Sequence, residues 1–187
     1  MGLENETTRR TVLKAGAMAL ALCALPAFPG MAEAAIHHPP RIRRLSLRNL
    51  HTDEHLHVAY WREGSYDRRA LASLNHFLRD FRSGDVRPMS RQLMDLVHDL
   101  QGRLEHDGTI EVISGYRSPR TNRMLADYSG GVAQHSYHMR GMAMDVRLPG
   151  VPLSRVHTAA LAMRRGGVGY YPDSGFVHVD VGPLRRW

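Results

Sequence analysis

Ser136-Tyr137-His138-Met139-Arg140-Gly141-Met142-Ala143-Met144-Asp145 places a histidine and an aspartate around six residues that include a glycine turn and small side chains. A loop of that composition can fold an imidazole and a carboxylate onto one metal ion. Downstream, Gly175-Phe176-Val177-His178-Val179-Asp180 reads as a strand on which His178 and Asp180, two apart, face the same side. Three ligands from two segments, His138, Asp145 and His178, leave zinc an open fourth position, the layout of a catalytic rather than a structural site. Any lone histidine among 12 is more often a surface or satisfied core residue. The spacing and flanking glycines favour ligands here.

Other residues are candidates for work around such an ion. Arg117 follows a predicted strand, where a fixed guanidinium can stabilise an oxyanion or hold a substrate carboxylate; its structural alternative is a salt bridge. His135, three residues before His138, is placed to line the cleft or help move a proton, or is an exposed loop histidine. Tyr116, Tyr170 and Tyr171 can hydrogen-bond substrate, although tyrosines beside glycines in a sheet more often pack. Met139, Met142 and Met144 read as core filling, and His51, His55 and His57 as surface, with no carboxylate at ligand spacing.

These residues need a scaffold. Alternation over Leu45–Leu50 and Glu54–Trp61 predicts a two-stranded hairpin. Apolar spacing predicts helices over Asp67–Phe81 and Ser90–Leu104, broken at Ser83-Gly84 and Asp107-Gly108. Thr109–Ser114 reads as a strand, Pro119–Tyr128 as a helix with proline in its first turn, and Ser129–Ser136 as a loop. A strand around Met142–Leu148, a helix over Leu153–Arg165, and strands at Val168–Tyr171 and Phe176–Val181 follow. The order is not a regular βαβ alternation, so the expected class is α+β, with an antiparallel sheet carrying the site.

The first 34 residues have the make-up of an export leader: Arg9-Arg10 near the start, an apolar run from Ala15 to Phe28, and Ala32-Glu33-Ala34 as a cleavage site. The run contains Pro26 and falls short of the roughly 20 residues that cross a bilayer, so no stable membrane insertion is expected after cleavage. Thr8–Lys14 resembles the twin-arginine address, which implies the twin-arginine export machinery as a partner and a periplasmic location. The domain then runs from Ala35 to Trp187. Cys23 is the only cysteine and lies in the leader, so a metal in the domain must be held by histidine and carboxylate. The leader removes Arg9, Arg10 and Lys14 along with Glu4, Glu6 and Glu33, leaving the net charge at +7. A basic exported domain suits a carboxylate-rich wall polymer, and no nucleic-acid-binding motif is present.

Ser114-Gly115-Tyr116-Arg117-Ser118-Pro119, the His138–Asp145 stretch, and Gly166–Tyr171 leading into Phe176–Asp180 together resemble one family. It is the zinc peptidases that include D-alanyl-D-alanine carboxypeptidases and L-alanyl-D-glutamate endopeptidases, in particular their murein endopeptidase branch. Leu45–Trp61 and Arg79–Asp85 are also similar to that branch, so the resemblance spans nearly the whole domain.

The resemblance implies a small antiparallel sheet flanked by helices, of the Hedgehog and DD-peptidase type, and one zinc ion on His138, Asp145 and His178. It implies hydrolysis of peptidoglycan peptide cross-links, with Arg117 in a catalytic or substrate-binding role and Ser114, Tyr116 and His135 near substrate. The chain departs from the wider family at the general base. Relatives often carry an acid three residues before the last ligand or a histidine two before it, where this chain has Gly175 and Phe176. Asp180 is the first candidate for the base and Asp173 the second; Asp180 suits equally a bond that fixes a ligand histidine. The rival readings are a carboxypeptidase trimming terminal D-alanine and a wall-binding module without turnover.

Overall fold

The computed structural model describes residues 41–129 and 133–187. The expected leader, its cleavage site and the domain start at Ala35 lie outside the described residues, as do three residues of the expected 129–136 loop.

The predicted hairpin forms as β1 (Ile42–Asn49) and β2 (His55–Arg62), paired antiparallel. Its turn is shaped by Asn49, whose Oδ1 accepts from the N–H groups of His51 and Thr52 at 2.9 and 3.2 Å. A short β3 (Ser65–Tyr66) extends β2. Helix α1 (Arg68–Phe77) starts on Asp67, which accepts from the N–H groups of Arg69 and Ala70. The periodicity predicts a helix to Phe81, but α1 stops four residues earlier. The Leu78 carbonyl accepts instead from Tyr116 N–H at 2.7 Å, and Asp80 folds a turn that contains Arg82 to Asp85. Tertiary partners thus outcompete the next helical turn.

Helix α2 (Arg91–Arg103) buries Leu93, Leu96, Val97 and Leu100 on its apolar face. The remaining elements are β4 (Ile110–Ser114), α3 (Pro119–Ser129), a single 3-10 turn at Tyr137–Arg140, β5 (Ala143–Arg147), α4 (Leu153–Met163), β6 (Gly167–Tyr171), β7 (Phe176–Asp180) and β8 (Arg185–Arg186). Among the described residues no helix is long and apolar enough to cross a membrane.

All eight strands join one sheet in the order β3-β2-β1-β4-β5-β7-β6-β8. The expectation of a small antiparallel sheet is therefore corrected: β1 pairs β4 in parallel, and so does β6 with β8, while the other pairs are antiparallel. The β1–β4 connection runs through β2, β3, α1 and α2, the long crossover that a parallel pair needs. The class remains α+β.

The pleat decides which residues enter the core. Met144 and Val146 on β5, and Val177 and Val179 on β7, are buried with Leu45, Leu47, Ile110 and Leu93. The alternate residues, Asp145, His178 and Asp180, therefore point to the opposite face. Among the three methionines read as core filling, Met144 is fully buried, whereas Met139 and Met142 are half-buried.

Candidate metal centre

Strand register builds most of the centre. Ser114 on β4 faces Asp145 on β5, Asp145 faces His178 on β7, and His178 faces Gly169 on β6. Four neighbouring strands thus present one row of residues. His138 reaches this row from the 3-10 turn, whose start is capped by Ser136 Oγ accepting from His138 N–H at 3.3 Å. The turn ends at Gly141 with φ 66°, where a Cβ would approach the Pro88 carbonyl oxygen to 2.5 Å. Both conditions require glycine.

The three side chains converge through one atom each. His138 Nε2 lies 3.2 Å from His178 Nδ1 and 3.3 Å from Asp145 Oδ1, and His178 Nδ1 lies 2.8 Å from the same oxygen. Tetrahedral ligation at about 2.0–2.1 Å sets ligand atoms roughly 3.3 Å apart, close to this triangle. The other ring nitrogens face acceptors. His138 Nδ1–H donates to the Gly115 carbonyl at 2.7 Å, and His178 Nε2–H donates to Asp180 Oδ2 at 3.1 Å. With those protons placed, two imidazole lone pairs and a carboxylate oxygen point at one another with no donor among them, an arrangement that a cation satisfies. His138, Asp145 and His178 are the group of described residues able to hold a metal, and all three are buried.

The carboxylate and the two rings interact strongly, and a proton between His178 Nδ1 and Asp145 would occupy the place a cation takes. Burial alone would raise the Asp145 carboxyl, but the facing His138 and His178 rings outweigh it and hold it below its usual range. Burial would lower His178, yet hydrogen bonds to Asp145 and Asp180 raise it instead.

Arg117 borders the same face. Its NH2 lies 3.5 Å from Ser114 Oγ and 3.9 Å from Asp145 Oδ2, NH1 lies 3.4 Å from Asn122 Oδ1, and buried Nε has no partner among the described residues. These are loose contacts, so the guanidinium keeps capacity for a further anion. Burial, the largest influence, lowers its pKa, with Asp145 opposing. The backbone here is held firmly. Arg117 N–H donates to the His138 carbonyl, and Ser118 N–H donates to Asp80 Oδ2 at 2.9 Å. Gly115 packs so closely that a Cβ would meet the Leu78 carbonyl oxygen at 2.6 Å.

An open cleft of about 670 Å³ lies over the triad, lined by Arg117, His135, Tyr137, Tyr171, Arg185 and Trp187, among others. His135 is exposed on its rim. Tyr116, expected near substrate, is instead buried in the hydrophobic core, because its N–H is tied to Leu78 and its ring follows the backbone inward. Ser114 does not line the cleft and touches Arg117. Asp180 sits behind His178, on the nitrogen turned away from the triad, with none of its surface exposed. Asp173 is exposed on the turn between β6 and β7 and is not among the lining residues. His51 stacks on Phe81 at 4.1 Å, while His55 and His57 are exposed.

Sequence reasoning did not single out Tyr137, Arg185 and Trp187. The Trp187 ring lies 5.2 Å from the His178 ring and donates its indole N–H to Tyr171 OH at 2.6 Å. Gly169 makes room for it: a Cβ there would come within 2.7 Å of the indole. That glycine, facing His178 across the ladder, was the available signal.

A buried pair of histidines and one carboxylate, under an open cleft on an α+β scaffold, is the donor set of a metal-dependent hydrolase. The profile of the family described as peptidoglycan L,D-endopeptidase MepK matches residues 37–187, and the chain belongs to that family. It is 44% identical over 182 residues to the peptidoglycan L,D-endopeptidase MepK of Escherichia coli K12, covering 97% of this chain and 98% of the relative. The probable peptidoglycan L,D-endopeptidase MepK of Haemophilus influenzae is 39% identical over 183 residues, 97% and 96% of the two chains. No solved structure matches.

Proposed function

We propose that this chain is an exported zinc peptidase that hydrolyses L,D peptide bonds in peptidoglycan cross-links. The observation that carries the metal reading is the convergence of one ligand atom each from His138, Asp145 and His178, all three buried, beneath the cleft. Two nitrogens and one oxygen suit zinc along with several other divalent ions, and the family resemblance favours zinc among them. The endopeptidase reading rests on near full-length similarity to relatives bearing that name.

When bound, zinc polarises a peptide carbonyl and lowers the pKa of water toward about 7. Arg117, which lines the cleft and whose NH1 and NH2 make only long contacts, stabilises the developing oxyanion or holds a carboxylate of the stem peptide. His135 accepts and returns the proton: among the described cleft-lining residues it is the acid–base side chain that is neither a ligand nor a phenol. Asp180 orients His178 and does not act as the base, a reading supported by its complete burial and its bond to the far ring nitrogen. Asp173, exposed and outside the lining residues, is the weaker candidate.

Incubation with cross-linked and monomeric muropeptides, with and without chelator, tests this. Chelator-sensitive conversion of the cross-linked substrate is expected. Trimming of monomers alone would indicate a carboxypeptidase, and binding without released fragments would indicate a wall-binding module. Export through the twin-arginine route predicts a mature N-terminus close to Ala35 by mass spectrometry.

A further inference from the structure

Asp180 is a buried carboxylate with four donors. Oδ1 accepts from Gly167 N–H at 3.1 Å and Gly182 N–H at 2.8 Å, while Oδ2 is shared by His178 Nε2–H and the Arg185 guanidinium. The two backbone donors fix one oxygen. The other oxygen has Arg185 as its partner beside His178.

Arg185 lies against two aromatic rings. Its guanidinium carbon lies 4.5 Å from the Tyr137 ring centroid and 5.2 Å from that of Trp187. Tyr137 opens the 3-10 turn that carries His138, and Trp187 packs beside His178. The backbone is cut to fit this cluster. A Cβ on Gly167 would fall 2.4 Å from Asp180 Oδ2 and 3.0 Å from the Arg185 guanidinium carbon, and one on Gly182 would fall 2.4 Å from the Tyr137 ring. β8 also pairs Arg185 with Gly167. Arginine suits the place because a planar fork can bond a carboxylate and stack on rings at once, which an ammonium cannot.

We propose that Arg185 is a positioning residue for the metal centre: packed against Tyr137 and Trp187, it fixes Asp180, which in turn fixes His178 for ligation. The inference rests on the metal reading above and concerns this chain's own residues. Among the described residues, Arg185 and the His178 ring are the basic groups that pair with Asp180. Loss of the guanidinium leaves a wholly buried carboxylate with one oxygen underbonded, and that oxygen is the one His178 uses.

The test is zinc affinity, read by competition with a chromophoric chelator and independent of turnover. Arg185→Met keeps a long apolar stem against the rings and removes charge and fork. It is expected to weaken zinc binding about 10-fold or more, the usual effect of losing a partner behind a ligand. Arg185→Lys restores charge without the planar fork and should lie between Met and wild type; it carries the test should the Met variant not fold. A cycle with Asp180→Asn separates positioning from a general structural effect. If Arg185 acts through Asp180, the double variant binds zinc no more weakly than Asp180→Asn alone. Losses that multiply would overturn the proposal, as would wild-type affinity in Arg185→Met or, where that variant does not fold, in Arg185→Lys. A wild-type chain that binds no zinc overturns the metal reading and this inference with it, an outcome distinct from binding that ignores Arg185.

Discussion

The two histidines of the triad are supported by different kinds of chemistry. His138 donates to a backbone carbonyl, Gly115 O, in a segment locked by Leu78, Asp80 and the close packing of Gly115. His178 donates to a side chain, Asp180, which leans on Arg185 and two backbone amides. A carbonyl in a loop held by several backbone contacts depends less on any one side chain than does a carboxylate held by an arginine on a two-residue edge strand. The two sides also differ in their neighbours: the His138 side adjoins the cleft-lining Arg117, and the His178 side adjoins the cleft wall at Arg185 and Trp187.

The largest expected effect tests whether both halves serve one ion. His138→Ala, Asp145→Ala and His178→Ala should each abolish peptidoglycan hydrolysis and leave the protein without stoichiometric metal by elemental analysis. Retention of full metal content and activity in any one of them would remove that residue from the centre. Next is Arg117→Ala, expected to lower turnover about 100-fold or more with metal retained, because the guanidinium acts on substrate rather than on the ion. Equal loss of metal would erase the distinction between the two sides.

Asp180→Asn addresses the other side and should weaken zinc binding about 10- to 100-fold, since the amide bonds the imidazole less strongly than a carboxylate. A fall in turnover with zinc fully retained would instead make Asp180 the base. Metal content and rate must therefore be measured together. His135→Gln supplies the counterpart, with turnover expected to fall about 100-fold and metal unchanged.

The convergence of His138, Asp145 and His178 was legible because ligation selects residue types within two short segments, and the strand period alone puts His178 and Asp180 on one face. The period says nothing about which ring nitrogen an aspartate meets, so Asp180 read equally as base or as support. Long-range partners were not legible either. α1 ends at Phe77 because Leu78 bonds Tyr116 far along the chain, and that same bond carries Tyr116 into the core. The parallel pairing of β1 with β4 depends on a crossover of about 60 residues, for which neither strand has a local signal. Arg185 and Trp187 matter only through glycines that let them approach, and a glycine in a strand pattern does not name what lies over it.

The smallest effect concerns Asp80, which holds the Arg117 segment without touching the triad. Its carboxylate accepts from Ser118 N–H and Arg82 N–H and is almost wholly buried. Burial would raise its pKa, but the bonds from Thr121, Ser118 and Arg82 together bring it down to about 2. A carboxyl whose folded value lies below its unfolded one stabilises the fold above the unfolded value, near 4, and that contribution is lost as pH falls through 2. Asp80→Asn should therefore be less stable than wild type at pH 6 by about 2 kcal/mol, or roughly 5 °C in a thermal melt. The gap should close between pH 4 and pH 2, because the wild-type carboxyl becomes neutral there too. Melts of chelated protein remove any contribution from metal binding, and other acids cancel in the difference between the two chains. A gap that stays constant across that range would mean the bonds do not depend on charge. No gap at all would mean that the rigidity of the Gly115 segment comes from packing against Leu78, and the firm half of the centre would then rest on shape rather than on a buried anion.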